Sequence, residues 1–357
     1  MNPSILFVNL NVGSGIEATG DRILSMFSDY PGEVTKYENQ NPPCYILEAI
    51  ADKEPDVIIL NEYFPRTLLA AHYYKLTHPD TKIILLNHSW ERLSHFPLDI
   101  EACPPEHDHQ SRDEMVGLNH AMRQSVDVFF NLNHKQPGWK IEPIIAGKDH
   151  RDLYHPIPDE YHITRKWSDR PRDFVYWGNL YSEKFDPQFI HDIKGTDIQV
   201  DFYGNQKDID LVRAIRRSPN TKLRGYIPSE QLIDTLNQYR FLVIPHQKGD
   251  LFMLVLAESI RCGIIPLILK HRGLRQHWAD YADGCHYEYF SMDELIDRIL
   301  YYLTNKNDRS LIDQLEQFSI QASEKMRRLT SYDTFKGTLW TTIRSLVESG
   351  DKTPDSS

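Results

Sequence analysis

Short apolar runs alternate with segments of helical spacing along the first half of the chain. These runs are too short to be helices, so they predict strands at residues 5–10, 57–60, 82–86, 127–132 and 141–145. Segments 21–27 and 66–76 instead repeat apolar residues at helical intervals. Buried strands separated by helices are typical of a parallel sheet that is covered on both faces.

The same alternation starts again in the second half. It predicts strands at 173–178, 198–204, 240–245 and 264–269, and helices at 229–238, 251–261 and 332–347. Between the halves, residues 146–172 hold three prolines among charged residues, which favours a linker. The predicted fold class is α/β, with two doubly wound, Rossmann-like domains that face a central cleft and bind ligands at the carboxyl ends of their strands.

Length and charge sharpen this division. We expect an N-terminal domain over 1–160, a C-terminal domain over 171–330, a last helix over 331–348 that returns to the N-terminal domain, and a polar tail over 349–357. The net charge of −11 disfavours a protein whose main ligand is nucleic acid or an anionic membrane. Residues 1–170 carry −9 and the remainder −2, so the two halves are expected to have different ligands.

Cysteine spacing and the lack of long apolar segments bear on the compartment. None of the four cysteines forms a CxxC pair, so the sequence predicts neither a zinc ribbon nor a redox motif. No signal peptide and no apolar run of about 20 residues is recognisable. These features favour a cytoplasmic protein with reduced thiols, and they leave peripheral contact with a membrane open.

The segment from Pro245 to Pro266 carries the clearest chemical signal. A strand ends at Pro245 and a helix is expected to begin near Asp250, whose carboxylate suits an N-cap. The first turn of such a helix offers N–H groups and a positive dipole end to an anion such as a diphosphate. Glu258 follows two turns later on a helix that looks buried. Its carboxylate is suited to accept from both hydroxyls of a ribose, although an ion pair with Arg261 explains it equally well.

Several segments, in order, resemble retaining glycosyltransferases of family 4, which have the GT-B fold. Asp250 and Glu258, with seven residues between them and a Cys-Gly-Ile-Ile-Pro run after them, are similar to the two-acid motif of that family. The resemblance covers about residues 1–348. Further matching segments are the strand and glycine at 175–184, the strand and glycine at 202–204, the glycine segment at 223–228, the interdomain segment at 147–156 and the strand end at 86–88.

The resemblance implies a role for each matching residue. Glu258 would hold the donor ribose, Asp250 the sugar hydroxyls, and Lys184 the diphosphate leaving group, while His88 would contact the sugar from the first domain. The other implied donor-binding positions are the backbones of Gly13, Gly15, Gly178, Phe252 and Met253. The donor would be a nucleotide-diphosphate sugar, transferred with retention by front-face attack, without a metal or other cofactor. The acceptor would be a glycan, a small molecule or a lipid-linked sugar.

Two departures from the family pattern stand out. The phosphate-binding arginine of the family is Asn179 here, and a neutral amide is a poorer partner for a diphosphate than a guanidinium. Arg224, Lys248 and Arg272 are the candidate replacements. The first acid of the motif is Asp250 rather than glutamate, which shortens its reach by one methylene. These departures keep open a GT-B protein that binds nucleotide sugars without catalysis. A viral-type DNA-modifying glycosyltransferase is the third alternative, which the acidic first half disfavours.

Some weaker candidates have ordinary explanations. His107, Asp108 and His109 have a spacing that could suit a metal, yet polar loops of this kind are common on acidic surfaces, so no metal site is predicted. The basic run at 213–217 is interpreted as a solvated helix face. The aromatic residues between 281 and 290 are interpreted as packing around the last strands, with base stacking by one of them as the alternative.

Overall fold

The computed structural model describes residues 2–10, 15–39, 43–61, 65–88, 124–132, 149–182, 184–246, 254–269 and 283–350. The chain divides into two compact units. Unit 1 consists of Met1–Pro156 and Tyr332–Ser357, and unit 2 of Ile157–Ser331. None of the helices within these described ranges is both long and apolar enough to cross a bilayer.

Unit 1 is built on a parallel six-stranded sheet of order β2-β1-β3-β4-β5-β6. Its strands are β1 (Ile5–Leu10), β2 (Val34–Asn39), β3 (Val57–Asn61), β4 (Lys82–Asn87), β5 (Val128–Asn131) and β6 (Asp149–Asp152). The helices described between them are α1 (Gly15–Ser25), α2 (Pro43–Lys53) and α3 (Pro65–Thr77). Every residue of β3 and β5 is buried, which explains why these strands are continuous apolar runs in the sequence.

The last helix of the chain, Tyr332–Gly350, packs on unit 1. Phe335, Leu339 and Ile343 repeat every four residues and lie in one core cluster with the β1 side chains Ile5 and Phe7. At the rim of this contact, Lys336 forms an ion pair of 2.6 Å with Asp29. The apolar stripe of the helix therefore completes the cover of one face of the unit 1 sheet.

Unit 2 contains a second parallel six-stranded sheet, of order β12-β11-β10-β7-β8-β9. Its strands are β7 (Arg172–Trp177), β8 (Val200–Tyr203), β9 (Thr221–Gly225), β10 (Tyr239–Ile244), β11 (Ile265–Leu269) and β12 (Tyr287–Tyr289). Its described helices, numbered on from unit 1, are α4 (Gln188–Asp192), α5 (Ile209–Arg217), α6 (Ser229–Leu236), α7 (Leu254–Arg261), α8 (Met292–Thr304) and α9 (Arg309–Leu329), and the last helix of the chain is α10. The strand order reverses between β7 and β10, and such a switch point opens a crevice at the carboxyl ends of the strands.

The boundary between the units differs from the predicted one. The sequence pattern placed 146–172 in a linker, ended the first domain at 160 and started the second at 171. In the structure β6 adds to the unit 1 sheet, and the chain from Ile157 onward belongs to unit 2. The fully buried Arg261 donates to the carbonyl oxygens of Ile157 and Tyr161, and the buried Arg170 donates to those of Tyr239 and Cys262. Contacts between distant residues therefore fix the boundary.

Candidate functional site

Two glycines bring the ends of β7 and β8 into direct backbone contact. Gly178 and Gly204 have φ values of +135° and +145°, which residues with side chains rarely adopt. A Cβ atom on Gly204 would lie 1.6 Å from the carbonyl oxygen of Gly178. The N–H of Gly178 donates to the carbonyl oxygen of Tyr203 at 3.0 Å, so the ladder continues past both strands. At these two positions the carboxyl edge of the unit 2 sheet is bare backbone: Gly204 leaves room for the backbone of Gly178, and Gly178 itself is without a side chain that would block a ligand.

The segment that carries Lys184 folds back onto the end of β10. Its neighbour Phe185 forms an antiparallel bridge with His246, and the N–H of Asp186 donates to the carbonyl oxygen of Pro245 at 2.8 Å. Upstream, the N–H of Ser182 donates to the N-cap carboxylate of α5, Asp208, at 3.0 Å. Lys184 therefore lies at the switch point of the unit 2 sheet. Its neighbour Phe185 forms the bridge to His246, which lies two residues after the end of β10.

Asn179 lies in the loop that follows Gly178. Its Oδ1 accepts from Nδ2 of Asn205 at 3.2 Å, and its backbone oxygen accepts from the Tyr176 hydroxyl at 3.3 Å. The same hydroxyl lies 3.2 Å from Nε2 of His246. The amide thus links the loops after β7 and β8 and supplies no positive charge where the related family has a guanidinium.

Glu258 lies on the face of α7 that contacts the end of β7. Val255 and Ser259 share this face at helical spacing. A Cβ on Gly178 would lie 3.5 Å from Cγ2 of Val255, and Trp177 Nε1 donates to Ser259 Oγ at 2.8 Å. The Glu258 side chain is only 3% exposed. Burying a carboxylate is costly unless hydrogen bonds or nearby positive charge stabilise it, so the surroundings of this side chain must favour its charge.

The simpler explanation of Glu258, an ion pair with Arg261, is wrong. The Arg261 guanidinium donates to three backbone carbonyl oxygens, to the Thr330 hydroxyl and to the Asp159 carboxylate, at 2.8 Å for the last. Burial, and next the negative charge of Glu258, raise the pKa of the Cys262 thiol to about 12. The Glu258 carboxylate is therefore close to Cys262, and Arg261 is occupied elsewhere.

Arg224, one candidate replacement for the missing arginine, forms an ion pair within unit 2. Its Nε and Nη2 lie 2.8 and 3.1 Å from the two carboxylate oxygens of Asp201. Asp201 also accepts from Arg172 at 2.7 Å and from the Tyr239 hydroxyl at 2.6 Å. Burial tends to raise the pKa of Asp201, yet the Arg224 and Tyr239 hydrogen bonds hold it below its usual value. The Arg224 guanidinium is therefore paired with a carboxylate, which it shares with Arg172.

His88 directly follows β4 in unit 1 and is buried. Its Nε2 lies 2.6 Å from Oδ1 of Asn61, and its ring centroid is 4.9 Å from that of His155. Burial lowers the pKa of His88 to about 3. Burial, followed by the charges of His88 and Arg22, holds the pKa of His155 well below its usual value. Both rings are therefore neutral near pH 7 and can take part in hydrogen bonds without bringing charge.

The structure thus brings Gly178, Asn179, Lys184 and Glu258 to the carboxyl end of the unit 2 sheet, and it places His88 at that of unit 1. Gly15 begins α1. Several other sequence candidates lie outside the described residues: Gly13, Lys248, Asp250, Phe252, Met253 and Arg272, together with His107, Asp108 and His109. Within the described ranges, no group of three or more His, Cys, Asp or Glu side chains is arranged to hold a metal ion.

Sequence reasoning missed the amide residues around His88. Asn61, Asn87 and Asn131 each end a strand of unit 1 and are buried, as is Asn9 near the end of β1. The recurrence of asparagine at the end of successive apolar runs was a signal available in the sequence. Their contacts were not available there, because strand register decides which of these side chains meet.

Comparison with known proteins adds a family and a fold. Residues 159–322 match the family described as Glycosyl transferases group 1. A comparison with curated protein sequences finds no match. Among solved structures, the fold is similar to Anabaena Alr3699/HepE in complex with UDP-glucose, with a TM-score of 0.66 and 13% identity over 96% of this chain and 100% of that chain.

Two further solved structures are similar over nearly the whole chain. Sucrose-phosphate synthase (tll1590) from Thermosynechococcus elongatus has a TM-score of 0.72 and 11% identity, over 97% of this chain and 99% of that chain. An alpha-glucosyltransferase in complex with UDP and a 13-mer DNA has a TM-score of 0.58 and 13% identity, over 96% and 100%. At such identities the likeness establishes the fold, which is GT-B.

Proposed function

We propose that the chain, a glycosyltransferase whose residues 159–322 match the family described as Glycosyl transferases group 1, moves a sugar from a nucleotide-diphosphate donor to a hydroxyl acceptor. The observation that carries this proposal is the buried carboxylate of Glu258 beside the side-chain-free edge at Gly178 and Gly204. The related HepE structure in complex with UDP-glucose supports the choice of a uridine nucleotide as the first donor to test.

The roles of the residues follow from their charges. Glu258 is suited to accept hydrogen bonds from the two ribose hydroxyls, since an ionised carboxylate has several acceptor sites. Lys184 is suited to neutralise the diphosphate, because its segment lies at the end of β10. The bare backbone of Gly178 allows the nucleotide to approach the sheet edge. With Asn179 in place of the family arginine, Lys184 is the main cation that we assign to the leaving group.

We assign the reaction to the retaining, front-face class without a metal ion. The bond between the anomeric carbon and the diphosphate oxygen breaks, and the new glycosidic bond forms on the same face of the sugar. The acceptor proton passes to an oxygen of the departing diphosphate. Positive charge near that oxygen stabilises the transition state. The resemblance to family 4 and the placement of Lys184 support this assignment, and the anomeric configuration of the product, read by NMR, tests it.

Nucleotide binding tests the central assignment. In isothermal titration with UDP, Glu258→Gln should weaken binding about 10- to 100-fold, as expected for losing hydrogen bonds to a charged acceptor. Glu230→Gln is the matched control, because Glu230 is an exposed acid in the first turn of α6. Equal affinities for the wild type and Glu258→Gln would contradict the ribose role. A panel of UDP, GDP and ADP in which no nucleotide raises the melting temperature would contradict the donor class.

A second candidate function is a GT-B protein that binds nucleotide sugars without turnover. The observation that favours it is Asn179, whose amide is hydrogen-bonded to Asn205 and adds no charge. Nucleotide binding without sugar transfer or donor hydrolysis, across glycan, small-molecule and lipid-linked acceptors, would select this alternative. A DNA acceptor, motivated by the DNA-bound neighbour, requires salt-dependent binding to duplex DNA, and the acidic first half disfavours it.

A further inference from the structure

Four side chains form a continuous chain of hydrogen bonds at the carboxyl ends of β1, β3 and β4. Asp21 on α1 accepts from Asn9 Nδ2 at 3.0 Å. Asn9 Oδ1 accepts from Asn61 Nδ2 at 2.7 Å, and Asn61 Oδ1 lies 2.6 Å from His88 Nε2. Asn9, Asn61 and His88 are buried, whereas Asp21 reaches solvent and forms an ion pair with Lys36 at 2.8 Å.

The direction of this chain is fixed at its Asp21 end. Asn9 Nδ2 lies between the Asp21 carboxylate and the carbonyl oxygen of Glu17, at 3.0 and 3.4 Å. An ionised carboxylate and a carbonyl only accept, so the Asn9 amide nitrogen must face them and its oxygen must face Asn61. Asn61 must then present its nitrogen to Asn9 and its oxygen to His88. The partners of Asn9 and Asn61 therefore determine which atom of each amide group is the oxygen and which is the nitrogen.

The last step assigns the proton of His88. Because Asn61 presents an oxygen, Nε2 of His88 must be the protonated nitrogen. Burial keeps the imidazole from taking a second proton near pH 7, as its pKa of about 3 indicates. Its Nδ1 then carries a lone pair and is an acceptor.

We propose that Asn9 and Asn61 are positioning residues that hold His88 as the Nε2–H tautomer, so that Nδ1 accepts a hydrogen bond from a hydroxyl of the substrate. This rests on the proposed function and on the contact between His88 and the sugar that the resemblance to family 4 implies. An acceptor at this point favours a neutral sugar with a hydroxyl there over one with a carboxylate, such as a uronic acid, because two acceptors repel each other. The tautomer therefore contributes to sugar specificity.

The backbone of α1 is shaped to receive the amide pair. Gly20 lies inside this helix, and a Cβ there would lie 2.1 Å from Asn9 Oδ1 and 2.2 Å from Asn61 Nδ2. A glycine inside a helix is normally unfavourable compared with alanine. Its presence leaves the space that the Asn9–Asn61 hydrogen bond occupies.

Exchanging the charges of Asp21 and Lys36 tests the direction of this chain of hydrogen bonds. In the double variant Asp21→Lys with Lys36→Asp, the surface ion pair is kept, but residue 21 becomes a donor. The Glu17 carbonyl remains in the double variant, but at 3.4 Å it is the longer and weaker of the two contacts of Asn9 Nδ2, so the new donor at residue 21 should decide the orientation. Both amides should then rotate, Asn61 should donate to Nε2 of His88, and the proton should move to Nδ1. Long-range ¹H–¹⁵N NMR of ¹⁵N-histidine-labelled protein reads the tautomer, with His88 assigned by the signal that His88→Gln removes. We expect Nε2–H in the wild type and Nδ1–H in the double variant.

Two results would overturn the proposal: an Nδ1–H or cationic His88 in the wild type at pH 7, or the same tautomer in both proteins. Because this measurement needs no substrate, its outcome is independent of whether donor turnover is found. With an active donor, the double variant and Asn61→Leu should each lower kcat/KM about tenfold. The wild type should use one deoxy or uronic acid donor less efficiently than the donor that carries the hydroxyl, whereas the double variant should not distinguish them. Unchanged discrimination would contradict the assigned role in specificity.

Discussion

Lowering the pH should destabilise unit 1 because it contains two buried, neutral histidines. The pKa of His88 is lowered by burial to about 3, and that of His155 is lowered well below its usual value by burial and then by His88 and Arg22. In the unfolded chain both rings become protonated as the pH falls below about 6.5, whereas in the folded unit they stay neutral at that pH. The unfolded state therefore binds more protons below pH 6.5, and the free energy of unfolding falls as the pH is lowered from 6.5 towards 3.

The size of the effect follows from proton linkage. At pH 5.5, one unit below the ordinary histidine pKa, each ring that stays neutral in the folded state lowers the free energy of unfolding by about 1.4 kcal/mol. His88 and His155 together should cost about 3 kcal/mol relative to pH 7.5. A loss of this size is a large part of the stability of an ordinary domain, which is about 5–15 kcal/mol.

Hydrogen exchange measured at pH 7.5, 6.5 and 5.5 under native conditions can follow this loss in unit 1 alone. Peptides that cover β1, β3 and β4 should lose protection in the wild type, after correction for the intrinsic pH dependence of exchange. Replacing both rings, as in His88→Gln with His155→Gln, should remove most of the slope. His191→Gln is the control, because this histidine is exposed on α4 in unit 2. An equal slope in the wild type and the double variant would refute the reasoning.

Three further predictions concern stability and are checked by urea unfolding. Gly204→Ala should cost on the order of 4 kcal/mol because its Cβ would strike a backbone oxygen, whereas Gly195→Ala, with φ of +84° and open space, should cost only about 1–2 kcal/mol. Gly337→Ala should stabilise α10 by about 0.5–1 kcal/mol, while Gly20→Ala should destabilise unit 1, because its methyl group would displace the amide pair beside α1. Arg261→Met should lower the free energy of unfolding by about 3–5 kcal/mol, since it leaves buried carbonyl oxygens without donors. Equal effects of the two substitutions within either glycine pair, or an Arg261→Met variant as stable as the wild type, would contradict these packing arguments.

The central strands of both sheets were predictable because they are buried on both faces. Such strands, as in Val57–Asn61 and Ile265–Leu269, are continuous apolar runs bounded by polar or glycine residues. The edge strands were not predicted, because solvent covers one side and their side chains can be polar. Asp149–Asp152 consists of charged residues and one histidine, and Thr221–Gly225 has a leucine as its single large apolar residue.

In the candidate site, too, some residues could be proposed from the sequence, whereas contacts between residues far apart in the chain could not. Glu258 could be proposed as a charged residue on a helix that looks buried in the sequence, and Gly178 and Lys184 could be proposed from the resemblance of their segment to the family. The contacts of Asn61 could not, because its partners Asn9 and His88 are 52 and 27 residues away. Likewise, no local pattern around Arg261 shows that it binds the carbonyl oxygens of Ile157 and Tyr161.

The carboxyl ends of the two sheets differ in a way that bears on what each unit can bind. In unit 2 the edge is bare at Gly178 and Gly204, and the nearby Lys184 and Glu258 carry formal charge. In unit 1 the buried polar side chains at the strand ends are amides and neutral imidazoles: Asn9, Asn61, Asn87, His88 and Asn131, with His155 beside them. A diphosphate requires positive charge and open backbone, which unit 2 offers, while uncharged donors and acceptors are suited to sugar hydroxyls. The buried side chains described at the strand ends of unit 1 are uncharged, and they therefore favour a substrate whose part beside them is neutral, whatever charge the nucleotide carries.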